Sequence, residues 1–571
     1  MKWQFGILVL LIGCFSCKKN EAVKQPVVLK PVMATSSCYT PATTDSIWYT
    51  TSKKAPLFKG LQVLDFKIST HNTLAQEYFN QGLLLAYGFN HAEAARSFHE
   101  VTKIDSTCAM GYWGYAYVLG PNYNGGMEKD NFQRAFQAVN KAKELAYKVS
   151  PKEKALIFAL SQRYARTPPD NRQSLDQAYA TAMDNVYRQF PDDPDIGALY
   201  AESLLDLHPW DLYEKNSKAP KKWTLEITKL LEELLKKHLI HPGIHHFYIH
   251  AIEASASPEK ALKSAKILDT LVKGAGHLVH MPSHIYINTG DYHLGTLANI
   301  KAIKADSLYT TVCHAQGIYP LAYYPHNIHF LVATAALEGN SKLAWKAALQ
   351  LQKHTAVALM DQEGWSTLQH YYTIPYYTAV KLQLWDTILK FPIPQKKLTY
   401  PMLMWHYARA MAYLHKKDLK KAKDENNRVQ LLAKDTSLAN ITIWDINTTA
   451  DLAQIAALVA QANINWEQGN PNKTIQLLTK AVALEDNLNY NEPPDWFFSV
   501  RYYLGTFLWQ SKQYAKAEII FKEDLKKWKK NGWALYGLYQ SLEKQNKRIE
   551  AIQAKADFEK AWQYADFKLQ F

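Results

Sequence analysis

Arginine is scarce in this chain of 571 residues: ten, against 66 basic residues in all. The guanidinium fork is the group that grips phosphates and base edges. A formal charge of +14 carried almost wholly by lysine, with no dense basic block, therefore argues against nucleic acid as a partner and reads as solvated helix faces. Cysteine is scarce as well. Five, without paired spacing, exclude a disulfide scaffold and a CxxC…CxxC zinc module. There is no glycine-rich phosphate loop and no GxSxG elbow. Alternating strand patterns are missing beyond about residue 70, and the one long apolar run stands at the N-terminus. What remains is 47% hydrophobic and 21% charged, the balance of a core-forming protein.

The apolar run, Phe5 to Phe15, is eleven residues long. A spanning helix needs about 20, so the run suits the h-region of an export signal. It ends in Leu11-Ile12-Gly13-Cys14, which resembles the lipobox of bacterial lipoproteins. Cys14 is the expected lipid acceptor and Cys17 the alternative; an ordinary cleaved signal is the plainer reading. The expectation is a signal over 1–17, a tether and N-terminal extension over 18–59, of which 18–45 mix Lys, Pro, Thr and Ser as a tether would, and a cell-envelope location, lipid-anchored to the outer membrane or a periplasmic face.

From about residue 70 the hydrophobic period is helical. Gly82, Ala94, Phe98 and Ser106 stand at offsets 0, 12, 16 and 24, and Gly505, Tyr514, Ala517 and Phe521 repeat the pattern. Small residues at such offsets let paired helices approach, and the aromatic fills the gap between neighbouring pairs. Weaker copies lie at 276–309, 325–355, 402–435 and 455–490. This is the register of the tetratricopeptide repeat (TPR), which has a 34-residue period. The stretches YFNQGLLLAYGFNHAEAARSF (78–98), LGPNYN (119–124), GHLVHMPSHIYINTGDY (276–292), EPPDWFFSVRYYLGTFL (492–508) and NGWALYGL (531–538) resemble those of large bacterial TPR proteins. The resemblance implies an all-α fold, a right-handed superhelical solenoid of TPR-like helical hairpins; it carries no activity with it. An N-terminal array over 60–345 and a C-terminal array over 346–571 are expected. A non-repeating helical bundle is the bland alternative.

Histidine is concentrated. Eight of the 20 fall between 241 and 293: His241, His245, His246, His250, His277, His280, His284 and His293. His246 and His280 are 34 apart, as are His250 and His284, so equivalent positions of successive repeats carry imidazole. Spacings i, i+4, i+7 put His246, His250 and Glu253 on one helical stripe, and i, i+3, i+7 do the same for His277, His280 and His284. One unit later Pro325 opens a helix with His326 and His329. The TPR resemblance implies that these positions line the concave groove. Phe247, not Glu, follows His246, so HExxH is not formed. Pro282 falls inside a first helix and should loosen its hydrogen-bond ladder, freeing carbonyls near the histidines.

Neutral imidazoles with carboxylates are what zinc, copper, iron or nickel sites use. The candidate ligands are His246, His250, Glu253, His277, His280, His284, His326 and His329, with His246, His250, His280 and His284 sharing one ion. Glu202, Asp206, Asn122 and Trp210 are candidates for the surrounding shell, and metal binding should weaken as imidazoles protonate. The same histidines also suit a pocket for an organic ligand or acidic peptide, or a hydrogen-bonded polar core. Three functions follow: a groove that binds a metal or small ligand, with hydrolytic or redox chemistry at the metal; a scaffold without chemistry that binds a partner protein or peptide; and an outer-membrane glycan-binding lipoprotein. An ion pair between Glu492 and Arg501 is expected to fix the C-terminal units, and Cys108 and Cys313 are expected to be buried.

Overall fold

The computed structural model describes residues 43–51, 53–215, 217–496 and 498–570. The apolar run, both candidate acylation cysteines and most of the expected tether lie outside them. The described residues form an all-α chain of antiparallel helical hairpins. Thr73–Ala86 pairs with His91–Ile104, Ala109–Leu119 with Asn131–Leu145, Pro194–Leu205 with Lys222–Lys237, and Pro242–Glu253 with Leu262–Leu271. Tyr324–Leu337 pairs with Ser341–His354, Thr399–His415 with Leu419–Leu432, and Thr449–Glu467 with Pro471–Asp486. Arg501–Gln510 with Tyr514–Lys527 and Gly532–Lys544 with Arg548–Ala561 close the series. Among the described residues the strand content is one two-residue ribbon, Thr442–Ile443 against Asn447–Thr448. No described helix is long and apolar enough to cross a membrane.

Local chemistry sets the helix ends. Asn72 caps the first helix by accepting from Leu74 N and Ala75 N, and Ser150 with Glu153 forms a capping box. The repeat's small-aromatic code is visible in the packing. The Phe98 ring fills the space beside Gly82, where a Cβ would come within 2.9 Å of it, and also that beside Gly114 in the next hairpin. Phe521 does the same between Gly505, at 2.5 Å, and Gly537. One ring thus locks two successive hairpins, which cannot bury their apolar faces alone.

Two apolar cores result, one reaching Tyr323 and the other beginning at Ile287, so they meet at the histidine-bearing hairpins. The last hairpins touch this middle region. Tyr292 donates to Lys529 O (2.8 Å), Trp533 Nε1 to Ala336 O (3.0 Å) and Asp566 N to Gly339 O (3.1 Å). Segment 490–496 meets the helix that bears His284 through Asn288, which donates to Tyr490 Oη (3.1 Å) and Glu492 Oε1 (2.6 Å).

The described part of the N-terminal extension packs on the array: Ala55 is buried, Tyr78 donates to Ala55 O (2.7 Å), and Asp45 pairs with Arg96 (3.5 Å). Two expectations are corrected. Arg501 pairs with Asp486 (2.6 Å) and not with Glu492, which accepts from Asn288 and Tyr490 instead. Cys108 is buried, but Cys313 is only half-buried.

Candidate metal centre

Three hairpins supply the imidazoles. In helix Pro242–Glu253 every residue is buried. Pro242 suits the first turn, and His241 caps it by accepting from Ile244 N while its Nε2 meets Asp195 (3.1 Å). Gly243 lets the Tyr87 ring lie directly on the helix, since a Cβ would come within 2.9 Å of it. The turn after the first helix of the chain therefore seals this stripe. Phe89, held at φ 52°, places its ring 4.6 Å from His246, 5.7 Å from His250 and 5.6 Å from His277.

At its proline the second helix divides into Gly276–His280 and Pro282–Thr289, joined through Met281, whose backbone stays right-handed (φ −50°, ψ −36°) and whose N–H bonds His277 O (3.0 Å). A side chain at Gly276 would overlap Asp306. Asp306 accepts from Tyr319 (2.7 Å) and Asn327 (2.6 Å), and Tyr319 Oη accepts from His277 N (3.2 Å). This buried post sets the position of His277; burial pushes the Asp306 carboxyl up to about 7. The third helix, Tyr324–Leu337, follows a π-helical turn over Tyr319–Tyr323 and delivers His326 and Phe330.

The imidazoles fall into two trios. His246, His250 and His277 form one, and His280, His284 and His326 the other; within each, ligand nitrogens lie within 4.8 Å of one another. His246 Nε2 is 3.2 Å from His277 Nε2. His280 Nε2 is 2.9 Å from His284 Nε2 and 3.2 Å from His326 Nε2. Two nitrogens bound at 2.0–2.1 Å to one ion stand about 2.9–3.4 Å apart for octahedral to tetrahedral angles.

The outward nitrogens fix which nitrogen carries the proton. His246 Nδ1 sits 2.6 Å from Tyr87 O, an acceptor only. His250 Nδ1 sits 2.8 Å from Glu253 Oε1, and His284 Nδ1 2.5 Å from Glu253 Oε2. His280 Nδ1 is 2.6 Å from Asn299 Oδ1, whose amide is oriented by its own donation to Gly295 O (2.8 Å). The Nδ1 atoms of His246, His250 and His280 must therefore be N–H, and since burial holds all three imidazoles below the ordinary histidine range, their Nε2 atoms keep lone pairs. The Nε2 lone pair of His280 meets His284 Nε2 at 2.9 Å, a contact that a proton or a cation between them satisfies. Burial first, and neighbouring imidazoles second, hold His246 and His277 well below the ordinary histidine range, so both are neutral. Burial opposes the charge on Glu253, but His284 and His250 outweigh it and hold the carboxyl at about 2.

The residues singled out by spacing thus converge, with four differences. The histidines are not the wall of an open groove: His246 and His280 are fully buried and His277 is 3% exposed. The four repeat-equivalent histidines do not share one position but divide between the trios, and His277 and His326 complete them. Glu253 is not a ligand in this geometry; it orients one imidazole of each trio. His329 stands apart, its ring 5.4 Å from His370. Among the candidates for the surrounding shell, Glu202 accepts from the Tyr117 hydroxyl, and Asp206 accepts from Arg163 (2.7 Å) while lining the cavity described next. Asn122 lies beside His91 (3.4 Å) and Trp210 beside His250 (6.0 Å), both lining the cavity described next. Sequence reasoning missed Tyr87, Phe89, Asn299 and Trp444. The remaining clustered histidines are structural: His245 bonds Ser264 (3.0 Å) and Leu239 O (2.9 Å), and His293 bonds Glu338 (2.9 Å).

A cavity of about 460 Å³ opens onto both trios. His277, His284 and His326 reach it, with Trp210, Tyr323, Trp444 and Glu492 in its walls. Glu492 Oε1 accepts from Asn288 (2.6 Å) and Tyr490 (2.6 Å), while Oε2, buried, has no partner.

The class that fold and site define is an all-α array of TPR-like hairpins with a buried polyhistidine cluster. No family model matches the sequence, and no curated protein matches it. Among solved structures, the chain is similar to a human IFIT1 dimer with m7Gppp-AAAA at 12% identity and TM-score 0.30, covering 86% of this chain and 91% of that one. It is similar to yeast Tom70 at 13% identity and TM-score 0.30, covering 85% and 95%, and to Ypp1 at 10% identity and TM-score 0.40, covering 87% and 89%. The hairpins themselves, not these distant likenesses, carry the fold assignment.

Proposed function

We propose that this protein is a TPR-like scaffold that binds a divalent transition metal at its histidine cluster and a small ligand in the adjoining cavity. The observation that carries the reading is the pair of imidazole trios, in which His246, His250 and His280 have their Nδ1–H groups committed outward and keep Nε2 for a ligand. An all-imidazole, neutral donor set suits zinc, copper, nickel or iron and not calcium or magnesium. Hydrolytic or redox chemistry would be the metal's contribution. His246, His250, His277, His280, His284 and His326 would hold it, while Tyr87 O, Glu253 and Asn299 fix their tautomers. A peptide partner is less well served, because the imidazoles lie beneath sealing aromatics and not along an open groove.

The test is metal content after mild loading with zinc or copper and dialysis. Wild type should retain metal in whole-number stoichiometry, and His246→Ala and His280→Ala should each retain less. Equal, sub-stoichiometric metal in all three would end the metal reading. We also propose that the chain is exported and lipid-anchored in a bacterial cell envelope, a reading supported by LIGC after the apolar run. Replacing Cys14 and Cys17 together should move the protein to the soluble fraction; a double variant still bound to membrane would refute the anchor.

A further inference from the structure

Resting on the metal reading above, we infer that the cluster is a two-ion centre, one ion per trio, whose open positions face the common cavity and take a small oxyanion with a flat apolar body.

Three observations lead there. Six imidazoles exceed what one ion accepts at four-coordination, and they do not converge on one point. Their ligand nitrogens gather in two groups of three, each within 4.8 Å, with an Nε2 contact of 3.2 Å in the first and contacts of 2.9 and 3.2 Å in the second. Each trio alone gives three nitrogens and leaves a fourth position open, the arrangement of catalytic and not of closed structural sites.

The second observation is Glu253. It contacts one imidazole of each trio, Oε1 toward His250 and Oε2 toward His284. One buried carboxylate therefore touches both halves, hydrogen-bonded to His250 and in close contact with His284, and its negative charge lies on the closed side of the cluster, where it offsets part of the charge of two cations. A site for one ion would leave half of this arrangement without purpose.

The third observation is the cavity. It touches the first trio at His277 and the second at His284 and His326. Its aromatic walls are split in the same way: Trp210 lies 6.0 Å from His250, and Trp444 lies 6.1 Å from His326. A molecule seated between the two tryptophans reaches both open positions at once. The lining's guanidinium, Arg172, is already held by Asp176 (2.8 and 2.9 Å). The negative charge of a ligand must then be met by the ions themselves. Glu492 Oε2, the buried oxygen without a partner, stands on the same cavity wall as an acceptor still open to a donor, a water included.

The experiment is a copper(II) titration of wild-type protein followed by metal analysis and electron paramagnetic resonance. Two equivalents should be retained, and a half-field signal from coupled copper ions should grow only past the first equivalent. His250→Ala and His326→Ala should each retain one. Benzoate, the probe for an oxyanion on a flat body, should bind the two-copper protein at least tenfold more tightly than the metal-free protein. Retention of one equivalent without a half-field signal overturns the two-ion inference and leaves a single-ion site standing. Retention of none overturns the metal reading itself. Equal benzoate binding with and without copper overturns the ligand assignment. The wild-type spectra decide the ion count even if a variant fails to fold.

Discussion

Replacing Glu253 by glutamine separates an orienting carboxylate from one that is merely packed. The carboxylate offers an acceptor to each trio, at 2.8 Å to His250 and 2.5 Å to His284. Glutamine has the same shape but one oxygen and one NH2. Whichever imidazole meets the NH2 must turn its Nδ1 into an acceptor. Its proton then moves to Nε2 and points at the ion, so that trio falls from three ligands to two while the other keeps three. Loss of such an outer-shell partner weakens metal affinity about 10- to 100-fold, or about 1.4–2.7 kcal/mol. Glu253→Gln should therefore bind one ion about as wild type does and the second about 10- to 100-fold more weakly. Competition against a chromophoric chelator measures both steps, with circular dichroism to confirm that the helices are retained. A folded variant whose two steps match wild type within twofold would refute the assignment of Glu253 as the residue that sets the tautomers.

The packing makes its own predictions. Gly114→Val drives a branched side chain into the Phe98 ring that locks the first two hairpins, and should destabilise by about 1–3 kcal/mol, read as a lowered thermal midpoint; an unchanged midpoint would mean that the ring is free to move aside. Burial pushes His91 and His370 down to about 3, so both stay neutral in the folded chain while the unfolded chain protonates them below about 6.5. Their contribution is whole above about 6.5 and is lost as pH falls toward about 3, by up to about 1.4 kcal/mol per pH unit for each histidine. Replacing both with asparagine should flatten the acid limb of a stability–pH curve measured by denaturant titration; a limb of unchanged slope would place the acid sensitivity elsewhere. Trp444→Ala, at the mouth of the cavity, should weaken benzoate binding to the copper-loaded protein at least fivefold and leave its copper content at two equivalents.

The repeat register made the hairpins and most of the imidazoles legible, because a 34-residue spacing and a helical stripe are local properties of a chain. It also marked Pro282 as a loosened point of its helix. How the stripe divides was not legible: His280 and His284 join one trio across the Pro282 step, while His277, one turn before His280, joins the other. His329 is lost to the cluster because of where it falls on its own helix. Three residues beyond His326 is a swing of about 60° around a helix, enough to turn it from the other imidazoles toward His370. The groups that finish the site come from far away in sequence. Tyr87 O approaches His246 across 159 positions, Asn288 reaches Glu492 across 204, and Trp444 arrives on a loop with left-handed residues at 444 and 445. A backbone carbonyl has no side-chain signature, and Asn299 on a helix face looks like any other polar residue until its amide is seen held by Gly295 O. The chain announces which side chains can ligate; closure of the hairpins on one another decides which nitrogen of each carries the proton. That second choice, made by Tyr87 O, Glu253 and Asn299, separates a store of buried histidines from a set of lone pairs aimed at a cation.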